Sequence, residues 1–336
     1  MIFSKFWAGS VVLFLFVFYF GIAWGGTFSS PSDVFQVLVW REPNNYGQAS
    51  ILYQRLPRAI IAIYAGLIMA SSGLVFQGLI RNPLASASSL GINAGATLFV
   101  VGGALVFGAN LAEQGLAALC GGLFGFVLCT IIARIAGGNE KTTGLMLILS
   151  GSLVSMLLIG LSNALLLSYA DRRGEFLSWI AGNINHAYID RLYQFWWIGI
   201  LALALIFMLS KPLTLILLGS EKASSMGVRT VAVSRFALAC AIVASCSAVA
   251  VCGPISFIGL IVPHMIKPLV GQDFKVTLPA SALTGATLCL LASTISQNAF
   301  QPYVVNTGII LDLFGGIVFI LLIRKFYVSP KNRNDI

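Results

Sequence analysis

Arg55 and Arg58 stand three residues apart around Leu56-Pro57, and Asp312 sits alone in the apolar run NTGIILDLFGGIVF. Proline biases the residue before it away from the helical region and suits a first helical turn, so the two guanidiniums flank a helix start. Such a pair either takes carboxylates bidentately from a soluble partner or snorkels at a headgroup boundary. An ionisable side chain inside an apolar span marks a functional site by default. Asp312 therefore either serves a proton or ion step or pairs with a hydroxyl or backbone group near a bundle interior. A third pattern lies in 143–169, where Gly144, Gly151, Ser152, Ser155, Ser162 and Asn163 cover roughly a third of a helical wheel. That stripe either lines a wet pathway or marks close helix packing.

Other chemistry is missing. The six cysteines lie in apolar runs without metal-ligand spacing, and only two His, His186 and His264, are present. These patterns predict no metal site. His264, in VPHMI near a helix end, is read as satisfying local carbonyls. No Walker A sequence, GxSxG or HExxH occurs, so the chain reads as a non-enzyme that carries no energy source of its own.

The elements that position these residues are transmembrane helices. Only 9% of the 336 residues are charged and 58% are hydrophobic, against about 25% charged in soluble domains. Apolar spans fall near 6–26, 58–80, 89–108, 114–136, 143–169, 192–210, 231–251, 277–297 and 307–324. The first is read as a retained helix, because signal-peptide cores are shorter and end at a small-residue cleavage site. A short apolar stretch, 253–266, is broken by Pro254, Gly259 and Pro263. If it crosses, there are ten spans and both termini share a side. With the N-terminus inside, only Arg41, Arg55, Arg58, Arg172, Arg173 and Arg191 of the twenty Lys and Arg fall outside, leaving fourteen inside. The positive-inside rule selects that arrangement. The net charge of +9 thus reflects topology and requires no nucleic acid. Segments 27–57 and 170–191 are expected outside and 211–230 inside, and none is long enough for a soluble domain. The whole chain, 1–336, reads as one transmembrane domain.

The stretch QRLPRAIIAIYAGLIMASSGLVFQGLIRNPLASASSLGINAGA closely resembles the FecCD-type permeases, membrane subunits of bacterial ABC importers for ferric siderophores, haem and cobalamin. The shared pattern is Arg55-Leu56-Pro57-Arg58, Gln77-Gly78-Leu79, Asn82-Pro83-Leu84-Ala85 and Gly91 to Ala96. A second block, GPISFIGLIVPHMIKPLVGQDFKVTLPASALTGA at 253–286, is similar to another signature of these proteins. Between them LGSEKASSMGV resembles their cytoplasmic E-x-A-x-x-x-G element. The likeness runs in order along nearly the whole chain.

The resemblance implies an all-α polytopic protein with about ten transmembrane helices, the type II ABC importer permease fold, and both termini cytoplasmic. It implies an inner-membrane permease, dimeric with itself or a paralogue, served by two separate ATPases that use ATP and by a periplasmic or lipid-anchored binding protein. Arg55 and Arg58 would then receive glutamates of the binding protein. Glu221, Ala223 and Gly227 would form the coupling helix within 211–230, a single short helix ending in Gly. Thr142 and Thr143 are gate candidates, with Ser152, Ser155, Ser162 and Asn163 along the route. The Ser/Gly run after Pro83 is expected to keep the third helix slim. A ferric siderophore is the expected cargo, ahead of haem and cobalamin. The rival class is an ion-coupled secondary transporter seeded by Asp312. Two departures stand out. Gln297 replaces a further outward Arg of cobalamin importers, and the last span lacks two expected prolines around Asn306-Thr307-Gly308 and Gly315-Gly316.

Overall fold

The structure is a computed structural model and describes residues 2–25, 27–137 and 143–323. The first helix, α1 (Ile2–Ala23), is followed by a two-residue antiparallel ladder, β1 (Trp24–Gly25) with β2 (Thr27–Phe28). Helix α2 (Pro31–Trp40) starts where the Ser30 hydroxyl accepts from the Asp33 amide at 3.2 Å and Pro31 fills the first turn, a favoured N-terminus. Hydrogen bonds from Ser30 and Gln48 hold the Asp33 carboxyl below the usual carboxylate range. Helix α3 (Tyr46–Ser50) runs through one wider π-helical turn, Ile51–Arg55, into α4 (Leu56–Ile80). The chain continues through α5 (Ile92–Val106), α6 (Leu111–Ile135), α7 (Thr143–Ser168), α8 (Arg173–Ile180), α9 (Ile189–Met208), α10 (Ser210–Leu217) and α11 (Ser220–Ser225). It ends with α12 (Thr230–Cys252), α13 (Ile258–Val270), α14 (Phe274–Asn298) and α15 (Thr307–Ile323).

Seven of these are long and apolar enough to cross a bilayer, and α5, α13 and α15 are shorter apolar helices. Together they fall on the ten stretches expected from the sequence. Helix α4 is the axle of the bundle, packed by α14, α12, α13 and α9. Its small residues permit this. A methyl group at Gly73 would overlap the Gly259 carbonyl of α13, and one at Gly66 would overlap the Gly285 carbonyl of α14. Helix backbones this close gain packing that larger side chains would forbid. The Tyr64 hydroxyl meets Ser247 Oγ, which also reaches the Phe195 carbonyl at 2.9 Å, tying α4, α12 and α9 together.

The segment after Pro83 differs from expectation. It does not belong to the third helix at all: α4 ends with Arg81 in the left-handed region (φ 53°), and α5 begins only at Ile92. Pro83 forbids continuation of α4, and the serines satisfy the turn instead. Ser86 N donates to Ser89 Oγ at 2.8 Å, and Ile92 N to the Ala87 carbonyl at 3.1 Å. The turn climbs along α7, where Gly151, eight residues into that helix, lies against the Ser89 carbonyl. Ser88 Oγ donates to Ser256 Oγ (2.9 Å) in the unwound stretch before α13 and receives Asn93 Nδ2 (2.8 Å), while Ser155 Oγ donates to the Ser88 carbonyl (3.3 Å). Irregular backbone beside membrane helices is tolerated only when buried in protein or facing water; here protein buries 85–87 and 90–91.

Residues 170–191 also pack inward, burying Phe176, Trp179 and Ile184. Gly182 accepts from the Gly308 amide at 2.7 Å. This joins the loop after α8 to the start of α15 on one side of the molecule, the cavity end. The opposite side, the loop end, carries α10, α11 and the turn at 81–91.

Candidate functional site

At the cavity end a polar cavity of about 870 Å³ opens, lined by Gln54, Arg58, Asn183, Asn185, His186, Gln297 and Asn306 among others. Ser178 Oγ donates to Asn306 Oδ1 (3.0 Å) and receives Asn183 Nδ2 (2.8 Å), which orders one wall. Asn298 Nδ2 donates to the Trp24 carbonyl at 3.2 Å on another. Arg58 is only 9% exposed, yet among the described residues it makes no hydrogen bond or ion pair. A nearly buried guanidinium without a protein partner, facing carboxamides and hydroxyls, is fitted to an anion with several acceptor oxygens.

Arg55 lines the same cavity, but its guanidinium is engaged within the fold. Its Nη1 donates to the carbonyls of Ile22 (3.1 Å) and Ala23 (3.0 Å) and to Ser29 Oγ (3.1 Å), and Nη2 to the Gly25 carbonyl at 2.7 Å. The last carbonyls of a helix lack intrahelical partners and carry partial negative charge. Arg55 satisfies those of α1 and so fastens α1 to α4. Arg55→Met should therefore act on folding: removing a charged donor from buried carbonyls costs about 2–5 kcal/mol. A melting curve in detergent checks this, with a clear drop in Tm expected.

The loop end holds two short helices rather than one. Gly219 (φ 134°) separates α10 from α11. Ala223 is fully buried, whereas Glu221 and Gly227 are exposed. The Val228 amide donates to the Ala223 carbonyl (3.0 Å) and Gly227 N to the Ser224 carbonyl (3.0 Å), with Gly227 at φ 81°. That is a Schellman termination, so Gly227 is placed by backbone conformation. Sequence reasoning missed Thr214. Its hydroxyl donates to Asp273 Oδ1 (3.1 Å) and accepts the Phe274 amide (2.9 Å), tying α10 to the start of α14. The signal was Asp273 ahead of α14, an N-cap residue type. Gln77 is a second tie: its Nε2 donates to the Leu260 carbonyl (3.0 Å) and its Oε1 accepts from Lys267 Nζ (3.1 Å), linking α4 with α13.

The stripe on α7 splits. Gly144 and Gly151 abut the carbonyls of Ile80 and Ser89, and Ser162 is buried, donating to the Leu158 carbonyl at 2.8 Å. Ser155 reaches the 81–91 turn. Ser152 is half-buried and Asn163 exposed. The middle of the stripe is a packing surface and only its edge is open. Thr142 and the side chain of Thr143 lie outside the described residues. Asp312 is not near the bundle interior; it is exposed on the outward face of α15 beside Ile309 and Leu313. His264 Nδ1 pairs with the Leu260 carbonyl at 2.8 Å.

A profile of the FecCD transport family matches residues 13–325. The probable siderophore transport system permease protein YfiZ of Bacillus subtilis is 32% identical over 274 residues, 81% of either chain. The Fe(3+) dicitrate transport system permease protein FecD of Escherichia coli is 32% identical over 280 residues, covering 82% of this chain and 85% of its own. A solved structure described as an inward-facing conformation of a metal-chelate type ABC transporter superposes with a TM-score of 0.79 at 25% identity, covering 96% of this chain and all of that one. The apolar helices, the two signature blocks and a match spanning nearly the whole sequence agree: this multi-pass membrane protein belongs to the FecCD transport family.

Proposed function

We propose that the chain is the permease subunit of an ATP-binding-cassette importer for an iron chelate, a ferric siderophore before haem or cobalamin. The observation that carries the reading is the pairing of two features across one helical block. A cavity with an unpartnered Arg58 lies at one end, and a capped helical loop tied to α14 lies at the other. The cavity end faces outward and the loop end, with both termini, faces the cytoplasm, as the excess of Lys and Arg there favours. Cargo is inferred from relatives named for siderophore and Fe(3+) dicitrate transport.

In this reading a binding protein sets an acidic side chain on Arg58, and the carboxamides around it orient the contact. Two ATPase subunits seat against α10 and α11, where exposed Leu218 and Met226 flank Glu221. Ala223 anchors the loop to the bundle, and Gly227 ends α11 in a conformation that other residues adopt reluctantly. ATP binding and hydrolysis by those partners shift the permease between outward- and inward-open states. No cofactor is held by the chain.

Reconstitution tests this. Labelled ferric siderophore should accumulate in proteoliposomes only when the ATPase, ATP and binding protein are all present. Accumulation by this chain alone, driven by an ion gradient, would sink the reading and favour a secondary transporter. Gly227→Val places a β-branched residue in left-handed backbone at a strain of about 1–3 kcal/mol. It and Glu221→Ala should leave basal ATP hydrolysis in the complex while lowering uptake and the stimulation of hydrolysis by the binding protein.

A further inference from the structure

Helix α2 divides its residues among three sides at about 100° per residue. Val34 and Val37 make one side and share the buried core with Ile51. Asp33 and Gln36 make a second, where their side-chain oxygens accept from Gln48 Nε2 at 2.8 and 2.9 Å. Phe35, Leu38 and Val39 make the third, opposite the polar one, and all three are exposed. Trp40, also exposed, and Arg41 close the helix. A helix resting on a protein under water needs only a buried side and a polar side. An open apolar side turned away from the polar one is the pattern of a helix lying in a membrane interface.

The height of α2 agrees. The apolar part of α1, Phe6–Ala23, has 18 residues and is mostly open. It is about 27 Å long, near the roughly 30 Å of a hydrocarbon core, so Ala23 marks the hydrocarbon edge at the cavity end. The Ala23 carbonyl accepts from Ser29 N at 2.9 Å and from Arg55 Nη1 at 3.0 Å. Arg55 and the approach to α2 are therefore level with that edge. Gln48, which holds α2, precedes Arg55 by seven residues, about 10 Å along the rod. The headgroup layer adds about 5–8 Å on each side of the core, so α2 lies across it. Exposed Tyr53 stands in the same layer, where aromatic residues collect. We propose that α2 rests on the phospholipid leaflet at the cavity end, with Phe35, Leu38 and Val39 sunk into its upper acyl region. The open surface of α1, with Phe16 and Tyr19, continues beneath it. A protein that docks and leaves would return these side chains to water, whereas the bilayer covers them throughout. Through Gln48 the contact steadies α3, which runs into α4 and Arg58, so the leaflet itself fixes the rim of the cavity. The inference needs α1 to span the bilayer and is independent of cargo and energy source.

Spin-label accessibility of the full chain in phospholipid nanodiscs tests it. In a Cys120→Ser background, which removes the exposed native thiol, nitroxides are placed singly at F35C, L38C, V39C and N44C. Power saturation then compares collisions with oxygen, which dissolves in lipid, and with a water-soluble nickel chelate. F35C, L38C and V39C should show an oxygen-to-nickel ratio several-fold above that of N44C, which stands past the far tip of α3. Three positions on one face keep the test available if one variant fails to fold. A preference for nickel at all three overturns the proposal. Shielding from both reagents that arises only when a loaded binding protein is added assigns the face to that protein and also overturns it. Phe35→Asp combined with Val39→Asp should remove the oxygen preference at L38C, while a label at V12C on the open surface of α1 keeps its own. An L38C label unmoved by the two charges overturns the role given to those side chains.

Discussion

Arg58→Glu is expected to abolish capture of the loaded binding protein while the chain still folds and inserts. The guanidinium bonds to no other described residue, so its loss leaves no internal acceptor unsatisfied. Its only strong chemistry points into the cavity. Reversing the charge sets a carboxylate against the incoming acidic side chain, and like-charge contact at an interface costs several kcal/mol. Affinity should then fall by about 100-fold or more. Arg58→Lys keeps the charge but loses the bidentate fork and should fall between, by about tenfold. Arg58→Ala guards against any misfolding particular to the new carboxylate. Surface plasmon resonance of the binding protein on permease in nanodiscs reads these affinities, with thermal melting as the folding control. Wild-type affinity in Arg58→Glu would remove the docking role of the cavity.

Gly73→Val should leave almost no folded protein. The added side chain meets the Gly259 carbonyl, which is backbone within α13 and cannot turn aside as a side-chain tip would. Overpacking of a core costs about 1–3 kcal/mol where neighbours can adjust. Here two helix axes must part, and the cost approaches the total stability of a domain, about 5–15 kcal/mol. Gly73→Ala should give a smaller loss of the same sign. Gly9→Ala in α1, where a Cβ meets nothing within 4 Å, should be neutral. Yield and monodispersity by size-exclusion chromatography rank the three variants.

The sequence made the helices legible because apolar length is decisive in a membrane, and the broken stretch at 253–266 overlaps a short apolar helix, α13. It also placed Gly227 at a helix end, since a helix stop needs a residue that accepts left-handed backbone. It did not separate Arg55 from Arg58. Identical side chains three residues apart face one end of the molecule, and only the position of the α1 carbonyls decides which is consumed by the fold. The stripe on α7 failed for a related reason. Small residues are read alike whether a neighbour's backbone or water lies beyond them, and Gly151 and Asn163 differ only in what stands opposite. Asp312 was read as near the bundle interior, yet it stands on the open face of α15, because spacing alone does not say which face of a last helix is covered. The 170–191 segment looked like a surface loop, although Trp179 and Ile184 were apolar enough to announce its burial.

Helix α14 touches both working ends of the molecule. It starts at Phe274, whose amide is held by Thr214 of the loop end, and finishes at Asn298 in the cavity wall. Its 25 residues make a rod about 37 Å long. Because Gly285 beds it on the backbone of α4, there is no cushion of adaptable side chains at that bearing. A tilt of only about 4° about one tip carries the other by about 2.6 Å over that length, close to the reach of a hydrogen bond. The molecule therefore needs no relay of side-chain switches to report at one membrane surface what happened at the other; a single stiff strut can do it as a pushrod does. Spectroscopic labels at Lys275 and Gln297 should keep a constant separation through the ATP cycle, even as each moves against the rest of the protein.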